Sequence, residues 1–140
     1  MTYYVDQLEP GMSERYTHTV TEHDIALFGE VSGDTNPMHF DEAFAASTPF
    51  KTRIAHGMLS ASYISTILGL KMPGPGTIFL SFSCRFKAPV RIGDMVVAEV
   101  RVREVIAQKR RVVFDCDCKV GDTVVIEAEA VVMPPARPQM

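Results

Sequence analysis

The chain has no tryptophan, only three cysteines and no long hydrophobic run. Its longest nearly apolar stretch, residues 58–70, is interrupted by serines and a threonine, and it is shorter than the about 20 residues that a transmembrane helix needs. The N-terminus lacks the basic region and the apolar run of a secretory signal. We therefore predict no membrane partner and expect the protein in the cytoplasm.

The cysteines do not indicate a disulfide scaffold or a metal site. Cys116 and Cys118 form a C-x-C pair, whereas zinc sites use two C-x-x-C pairs or similar sets. We predict that these two residues and Cys84 are small apolar residues within strands, and that the chain binds no metal.

An excess of basic charge is missing as well. The chain has 17 acidic and 14 basic residues, a net charge of -3 at pH 7 and a pI near 5.8. Nucleic-acid binding needs a broad basic face, so we expect no nucleic-acid partner.

What is present is a chain of 140 residues of which 46% are hydrophobic, which is enough for one core. We predict a single domain over residues 1–140.

Helical patterns fill the first half of the chain. After a short strand over residues 16–20, Thr21 and Asp24 form a capping box for a helix that stops at Gly33. Residues 34–39 are expected to be a loop, and residues 41–46 a brief helix. A second long helix is predicted over residues 54–70, ending at Gly69, and it has no wide polar face, which is typical of a buried helix.

The second half of the chain alternates apolar and polar residues with period two. This pattern predicts strands over residues 78–86, 95–107, 112–120 and 124–133. The segregation of helices and strands indicates an α+β fold, in which an antiparallel sheet wraps around the long helix. A helix that is apolar all round needs more cover than one sheet gives, so we predict that a second subunit supplies it in a homodimer.

One candidate site lies in the loop after the first helix. Asp34 and His39 are five residues apart, and a carboxylate and an imidazole that share a water can hold it and move its protons. Pro37 restricts Asn36 and so gives the loop a fixed shape. The structural alternative is that Asp34 only forms the turn and that His39 only packs.

A second candidate site is the start of the long helix. Glycine is unfavourable within a helix, so Gly57 needs a reason. Its N–H, at the positive end of the helix, could stabilise an oxyanion, although close packing is the alternative explanation. His56 could cap or pack, and no chemistry is assigned to it. Ser62 and Ser65 lie on one side of the helix, where a hydroxyl could orient Asp34 or bond to the helix backbone.

These segments resemble a known family. The motif Gly33-Asp34-Thr35-Asn36-Pro37-Met38-His39, the later Ile54-Ala55-His56-Gly57-Met58-Leu59 and the strand segment Phe86-Lys87-Ala88-Pro89-Val90 are similar to the MaoC-like (R)-specific enoyl-CoA hydratases. The resemblance runs over residues 21–132. It implies the hotdog fold, in which a sheet wraps a long helix and two subunits join their sheets in a dimer.

The resemblance also implies roles for single residues. Asp34 and His39 would hold and activate the reacting water, the N–H of Gly57 would bind the thioester oxygen, Ser65 would support Asp34, and Asn36 would shape the loop. The implied reaction is reversible syn addition of water to a trans-2-enoyl-CoA, giving a (3R)-3-hydroxyacyl-CoA. It needs no metal or redox cofactor, since CoA is part of the substrate.

Two alternatives share this fold. A hotdog acyl-CoA thioesterase also places an acid near a helix N-terminus, but it does not typically carry the paired Asp and His of this loop. A non-catalytic acyl-binding partner subunit would keep the fold and lose the pair. The presence of both residues favours the hydratase.

Overall fold

The computed structural model describes residues 1–138 of the chain. The helices are α1 (Glu22–Ser32), α2 (Pro37–Phe40), α3 (Glu42–Ala46) and α4 (Gly57–Leu70). The strands are β1 (Ser13–Thr19), β2 (Ile78–Phe86), β3 (Met95–Ile106), β4 (Arg111–Val120) and β5 (Thr123–Met133). All the predicted strands are present, with ends that differ from the prediction by three residues or fewer.

The five strands form one antiparallel sheet in the order β1-β3-β4-β5-β2. Helix α4 packs across this sheet and contacts every strand. The centre of the core is built from fully buried side chains of both layers, among them Ile64, Ile67, Leu68, Val100, Phe114 and Val132. An α+β arrangement of a sheet around a long helix, as predicted, follows from these contacts.

Helix α1 begins and ends where the sequence predicts. The Thr21 hydroxyl accepts from the Asp24 N–H at 3.1 Å, and the Asp24 carboxylate accepts from the Thr21 N–H at 2.9 Å. This reciprocal capping box satisfies two of the free N–H groups at the helix start. At the other end, Gly33 has φ +78°, a left-handed conformation that ends a helix and favours glycine.

The prediction of a helix from residue 54 is wrong at its start, because helix α4 begins at Gly57 and continues to Leu70. Residues 54–56 are extended instead: the Ile54 N–H donates to the Met38 carbonyl at 3.3 Å, and the Ala55 N–H donates to the Val90 carbonyl at 2.7 Å. These long-range backbone bonds take donors that a helix would leave unpaired. Gly57 is therefore the first residue of the helix.

The prediction of an uninterrupted loop over residues 34–39 is also wrong. Helix α2 occupies its second half, with Pro37 at its first position. The Asn36 side chain accepts from the Met38 N–H at 3.1 Å and so caps this short helix. The prediction of a brief helix after Asp41 is confirmed, since the Asp41 carboxylate accepts from the Phe44 N–H at 3.1 Å at the start of α3.

The face of the sheet opposite α4 carries a set of ion pairs, which we call the charged face. Its members lie on β3, β4 and β5 and are Glu99, Arg101, Arg103, Asp115, Asp117 and Glu129. Arg103 bridges Asp115 and Glu129 at 2.7 Å each, and Arg101 contacts Glu99 and also Asp117 at 3.0 Å. This is the solvent-exposed face that the period-two alternation predicts.

The long helix does not extend far enough to cross a bilayer. Helix α4 has 14 residues, and across residues 1–138 no helix combines the length and the apolar character of a membrane span.

Candidate active site

Asp34 is held at the end of α1 by its immediate neighbours. Its N–H donates to the Ser32 hydroxyl at 3.1 Å, and that hydroxyl donates in turn to the Phe28 carbonyl. The Asp34 carboxylate accepts from the N–H of Asn36 at 3.2 Å. These short-range bonds define the backbone at Asp34 while its side chain stays exposed in the single subunit.

His39 lies on α2 with only 7% of its surface exposed. Its Nδ1 lies 2.7 Å from the Ile54 carbonyl oxygen, and because a carbonyl only accepts, Nδ1 carries the hydrogen. In the neutral ring, Nε2 is then the free acceptor. The Arg53 guanidinium donates to the His39 carbonyl at 2.8 Å, which fixes the backbone of the same residue.

The surroundings of His39 favour the neutral imidazole. Burial lowers the pKa of His39 below its ordinary value of 6.5, and the nearby His56 ring acts in the same direction. The bond to the Ile54 carbonyl and the Asp34 carboxylate oppose this shift in the pKa without reversing it. Neutral His39 can therefore accept a proton at Nε2 near pH 7.

Asp34, His39 and His56 come together although they lie on different segments. One ligand atom from each of the three lies within 4.8 Å of the other two. A water molecule at about 2.8 Å from two acceptors spans such a separation at a near-tetrahedral angle. This separation is compatible with one water shared by Asp34 and His39, and that sharing stays a prediction.

The same three residues are poorly arranged to chelate a metal ion. The rings of His39 and His56 are stacked, with centroids 3.9 Å apart and planes inclined by 28°. Imidazole lone pairs lie in the ring plane, so two nearly parallel rings direct theirs side by side rather than at a common point. Each ring also has one nitrogen bound to a backbone carbonyl.

Gly57 lines a cavity of about 390 Å³, whose other lining residues include Phe50, Met58, Phe86 and Pro89. As the first residue of α4, it has an N–H without an intrahelical partner, at the positive end of the helix. A Cβ at this position would lie 2.6 Å from the Phe86 ring. Close packing therefore accounts for glycine at this position, and the oxyanion role of its N–H stays a prediction.

The two supporting residues are placed differently. Asn36 shapes the loop, with its N–H on the Asp34 carboxylate and its side chain capping α2. Ser65 is exposed and lines a second cavity of about 440 Å³ with Phe28 and Phe82. Within residues 1–138 its hydroxyl makes no hydrogen bond to Asp34, and its supporting role stays a prediction.

Sequence reasoning missed three contributors to the site. The Ser32 hydroxyl, rather than Ser65, bonds to Asp34, here at its N–H. The Phe86 ring covers Gly57, and the His56 ring lies between His39 and the Asp34 backbone. A short-range signal existed only for Ser32, which precedes Asp34 by two residues as in a hydroxyl-capped turn.

A model for the MaoC-like domain matches residues 6–125. The chain belongs to the MaoC-like domain family. It is 51% identical over 135 residues to the (R)-specific enoyl-CoA hydratase of Rhodospirillum rubrum, covering 96% of this chain and 94% of that protein. It is 46% identical over 134 residues to the 3-hydroxybutyryl-CoA dehydratase of Methylorubrum extorquens, covering 96% and 85%.

A solved structure agrees with these relatives. The unliganded R-hydratase of Pseudomonas aeruginosa superposes with a TM-score of 0.90 at 42% identity, over 97% of this chain and 88% of that one. The match confirms the predicted hotdog fold for this MaoC-like chain and the resemblance on which the prediction was based.

Proposed function

We propose that this protein is an (R)-specific enoyl-CoA hydratase, which adds water reversibly to a trans-2-enoyl-CoA to give a (3R)-3-hydroxyacyl-CoA. One observation carries the proposal: a carboxylate oxygen of Asp34 and a ring nitrogen of His39 lie within 4.8 Å of each other, and His56 of the same cluster immediately precedes the first N–H of α4. The relatives that match nearly the full chain are named as enzymes of this reaction or its reverse.

The water is held by two acceptors. The Asp34 carboxylate takes one hydrogen of the water and His39 Nε2 accepts the other, which leaves a lone pair of the oxygen to attack C3. As the O–C3 bond forms, an O–H bond of the water breaks toward Asp34, and the π electrons of the C2–C3 double bond move toward the thioester. The proton that Asp34 received then passes to C2 with the help of His39, which restores the Asp34 carboxylate, and the second hydrogen of the water stays on the new C3 hydroxyl. Because one pair of side chains handles both additions, they occur on the same face.

The N–H of Gly57 stabilises the charge that this attack creates. Negative charge develops on the thioester oxygen as the enolate forms, and the N–H at a helix start, next to the positive helix end, is oriented before the reaction begins. The Phe86 ring packs close to Gly57 beside this N–H.

No metal or redox cofactor takes part in the proposed reaction. Hydration adds the H and OH of one water across the double bond without net oxidation, and CoA enters as part of the substrate. The stacked geometry of His39 and His56, which is unsuited to chelation, supports this part of the proposal.

The proposed assembly is a homodimer in the cytoplasm. Strand β2 is an edge strand with large exposed apolar residues, Ile78, Phe79 and Leu80, and a second copy could add its own strand there. The free thiols at Cys84, Cys116 and Cys118 are compatible with a reducing compartment.

The test measures hydration of trans-2-enoyl-CoAs of rising chain length by loss of enoyl absorbance, with thiol release followed in parallel. We expect hydration by the wild type, and a fall in kcat of about 10²- to 10⁴-fold in Asp34→Asn and in His39→Gln, the range typical of lost acid–base catalysis. Thiol release without hydration would instead identify a thioesterase, and full activity of either variant would refute the assigned pair.

A further inference from the structure

We propose that His56 is a positioning residue, which ties the backbone of Asp34 to the face of the His39 ring and so sets the distance between the two groups that share the water. This inference rests on the proposed hydratase function. His56 touches both members of the pair, although it lies 22 residues from Asp34 in the chain.

The first contact is a hydrogen bond to the backbone. His56 Nε2 lies 2.9 Å from the Asp34 carbonyl oxygen, and because that oxygen only accepts, Nε2 carries the hydrogen. The bonds between Asp34 and its neighbours Ser32 and Asn36 join residues of one continuous segment, so they cannot fix that segment relative to α4. Among the hydrogen bonds of the described residues to Asp34, the one from His56 reaches it from the start of α4.

The second contact is the stack on His39. The two rings are 3.9 Å apart, and the Phe28 and Phe40 rings enclose His56 from other sides, with centroids at 4.9 and 5.7 Å. With the ring plane of His39 set by this stack and its Nδ1 bound to the Ile54 carbonyl, the direction of Nε2 is determined.

The opposite edge of His56 indicates that packing alone does not explain the residue. Nδ1 is buried and has no hydrogen-bond partner in the described part of the chain, and only 2% of the residue is exposed. An unpaired buried nitrogen destabilises the fold, and an apolar side chain would avoid that loss. The bond from Nε2 to Asp34 accounts for a histidine here. Its burial also means that His56 acts through Asp34 and His39.

Two amide variants separate positioning from helix capping. In His56→Gln the side-chain amide nitrogen reaches the position of Nε2. In His56→Asn the side chain is shorter, and its amide nitrogen lies at the position of Nδ1 instead. His56 is the N-cap of α4 and makes no side-chain cap bond, and asparagine is a much better N-cap than glutamine. A capping role therefore predicts greater activity in Asn, and positioning predicts greater activity in Gln.

We expect kcat for enoyl-CoA hydration to fall at least about tenfold in His56→Asn and to stay within about threefold of wild type in His56→Gln. KM should change by less than about twofold in both, because His56 does not contact the substrate. In an Asp34→Asn background, His56→Asn should lower kcat little further, since a positioning residue has nothing left to position. Equal activity of the two amide variants, or a rise in KM in place of the fall in kcat, would overturn the inference.

His18→Asn is the matched control. His18 also uses Nε2 in a short bond, to the Asp24 carboxylate at 2.8 Å, but it lies on β1, where it stacks on Tyr16 and contacts Tyr63 at a tilt. We expect hydration to be unchanged, and an equal loss of kcat there would reveal a general effect of weakened packing. A wild type without hydratase activity overturns the proposed function and the inference together, whereas an active wild type with an unchanged His56→Asn overturns the inference alone.

Discussion

At the scale of single residues, the site depends on two imidazoles whose hydrogens are fixed by backbone carbonyls. Ile54 accepts from His39 and Asp34 accepts from His56, so neither ring is free to exchange its tautomer without losing a bond. In the proposed reaction, the His39 acceptor for the water is therefore Nε2.

The lowered pKa of His39 predicts the acid limb of the pH profile. Burial keeps the folded-state pKa below the ordinary value of 6.5, so the neutral ring persists as the pH falls through 6.5. We expect kcat/KM for hydration to stay level there and to decline only at more acidic pH. The free energy of unfolding depends on pH in the same direction. The contribution of neutral His39 to it is complete above pH 6.5 and is lost as the pH falls through the folded-state pKa.

Rate profiles and NMR titration of the His39 ring check this expectation together. An acid limb or a ring titration at or above 6.5 would contradict it.

The residues that could be predicted from the sequence are those in short motifs. Asp34, Asn36 and His39 lie within six residues and Gly57 opens a helix, so each could be nominated, and their catalytic roles stay predictions. The contacts of His56 could not be predicted, because the stack and the bond to Asp34 join segments that meet only in the folded chain. No periodicity reports such contacts.

At the scale of elements, helix ends that depend on neighbouring residues are predicted correctly, whereas long-range hydrogen bonds cause the errors in the predicted helix bounds. The capping box of α1 is local, so Thr21 and Asp24 predict its start correctly. The start of α4 was predicted three residues early because the Ala55 N–H bonds to the Val90 carbonyl, a partner 35 residues away. Strands β3 and β4 are predicted well, since both bury residues at alternate positions.

Helix α4 offers a matched pair of glycine substitutions. In Gly57→Ala the new Cβ meets the Phe86 ring at 2.6 Å, whereas in Gly69→Ala nothing lies within 4 Å. We expect kcat to fall by about 10- to 100-fold in Gly57→Ala, because the displaced ring and helix start misplace the oxyanion donor. Gly69→Ala should keep full activity and raise stability by about 0.5–1 kcal/mol, since alanine favours the helix.

Steady-state kinetics and thermal unfolding of both variants are the measurements. The double variant Gly57→Ala/Phe86→Leu should recover part of the activity by making room for the methyl group. A Gly57→Ala enzyme with wild-type kcat would show that the contact with Phe86 has no bearing on the reaction.

At the scale of the whole molecule, the exposed apolar residues of β2 predict self-association. Leu80 is 41% exposed on an edge strand that pairs only with β5 among the described strands. We expect sedimentation to give twice the chain mass of 15.5 kDa, and Leu80→Arg to shift the protein toward monomer. Ile92→Arg is the control, because Ile92 is similarly exposed but lies near the opposite edge of the sheet: the N–H of the neighbouring Gly93 donates to the carbonyl of Val20, which follows β1. We expect this variant to remain dimeric. A monomeric wild type would contradict the prediction.

The charged face restricts how copies of this protein can meet at high concentration. Stacking a second sheet on it would remove Arg103 and its two carboxylate partners from water, and the desolvation of such ion pairs commonly exceeds their mutual attraction. Face-to-face contact is therefore unfavourable, while the strand edge stays open to a partner. Crowding should then produce closed pairs, in which each copy occupies the other's free edge, rather than layers that grow without limit.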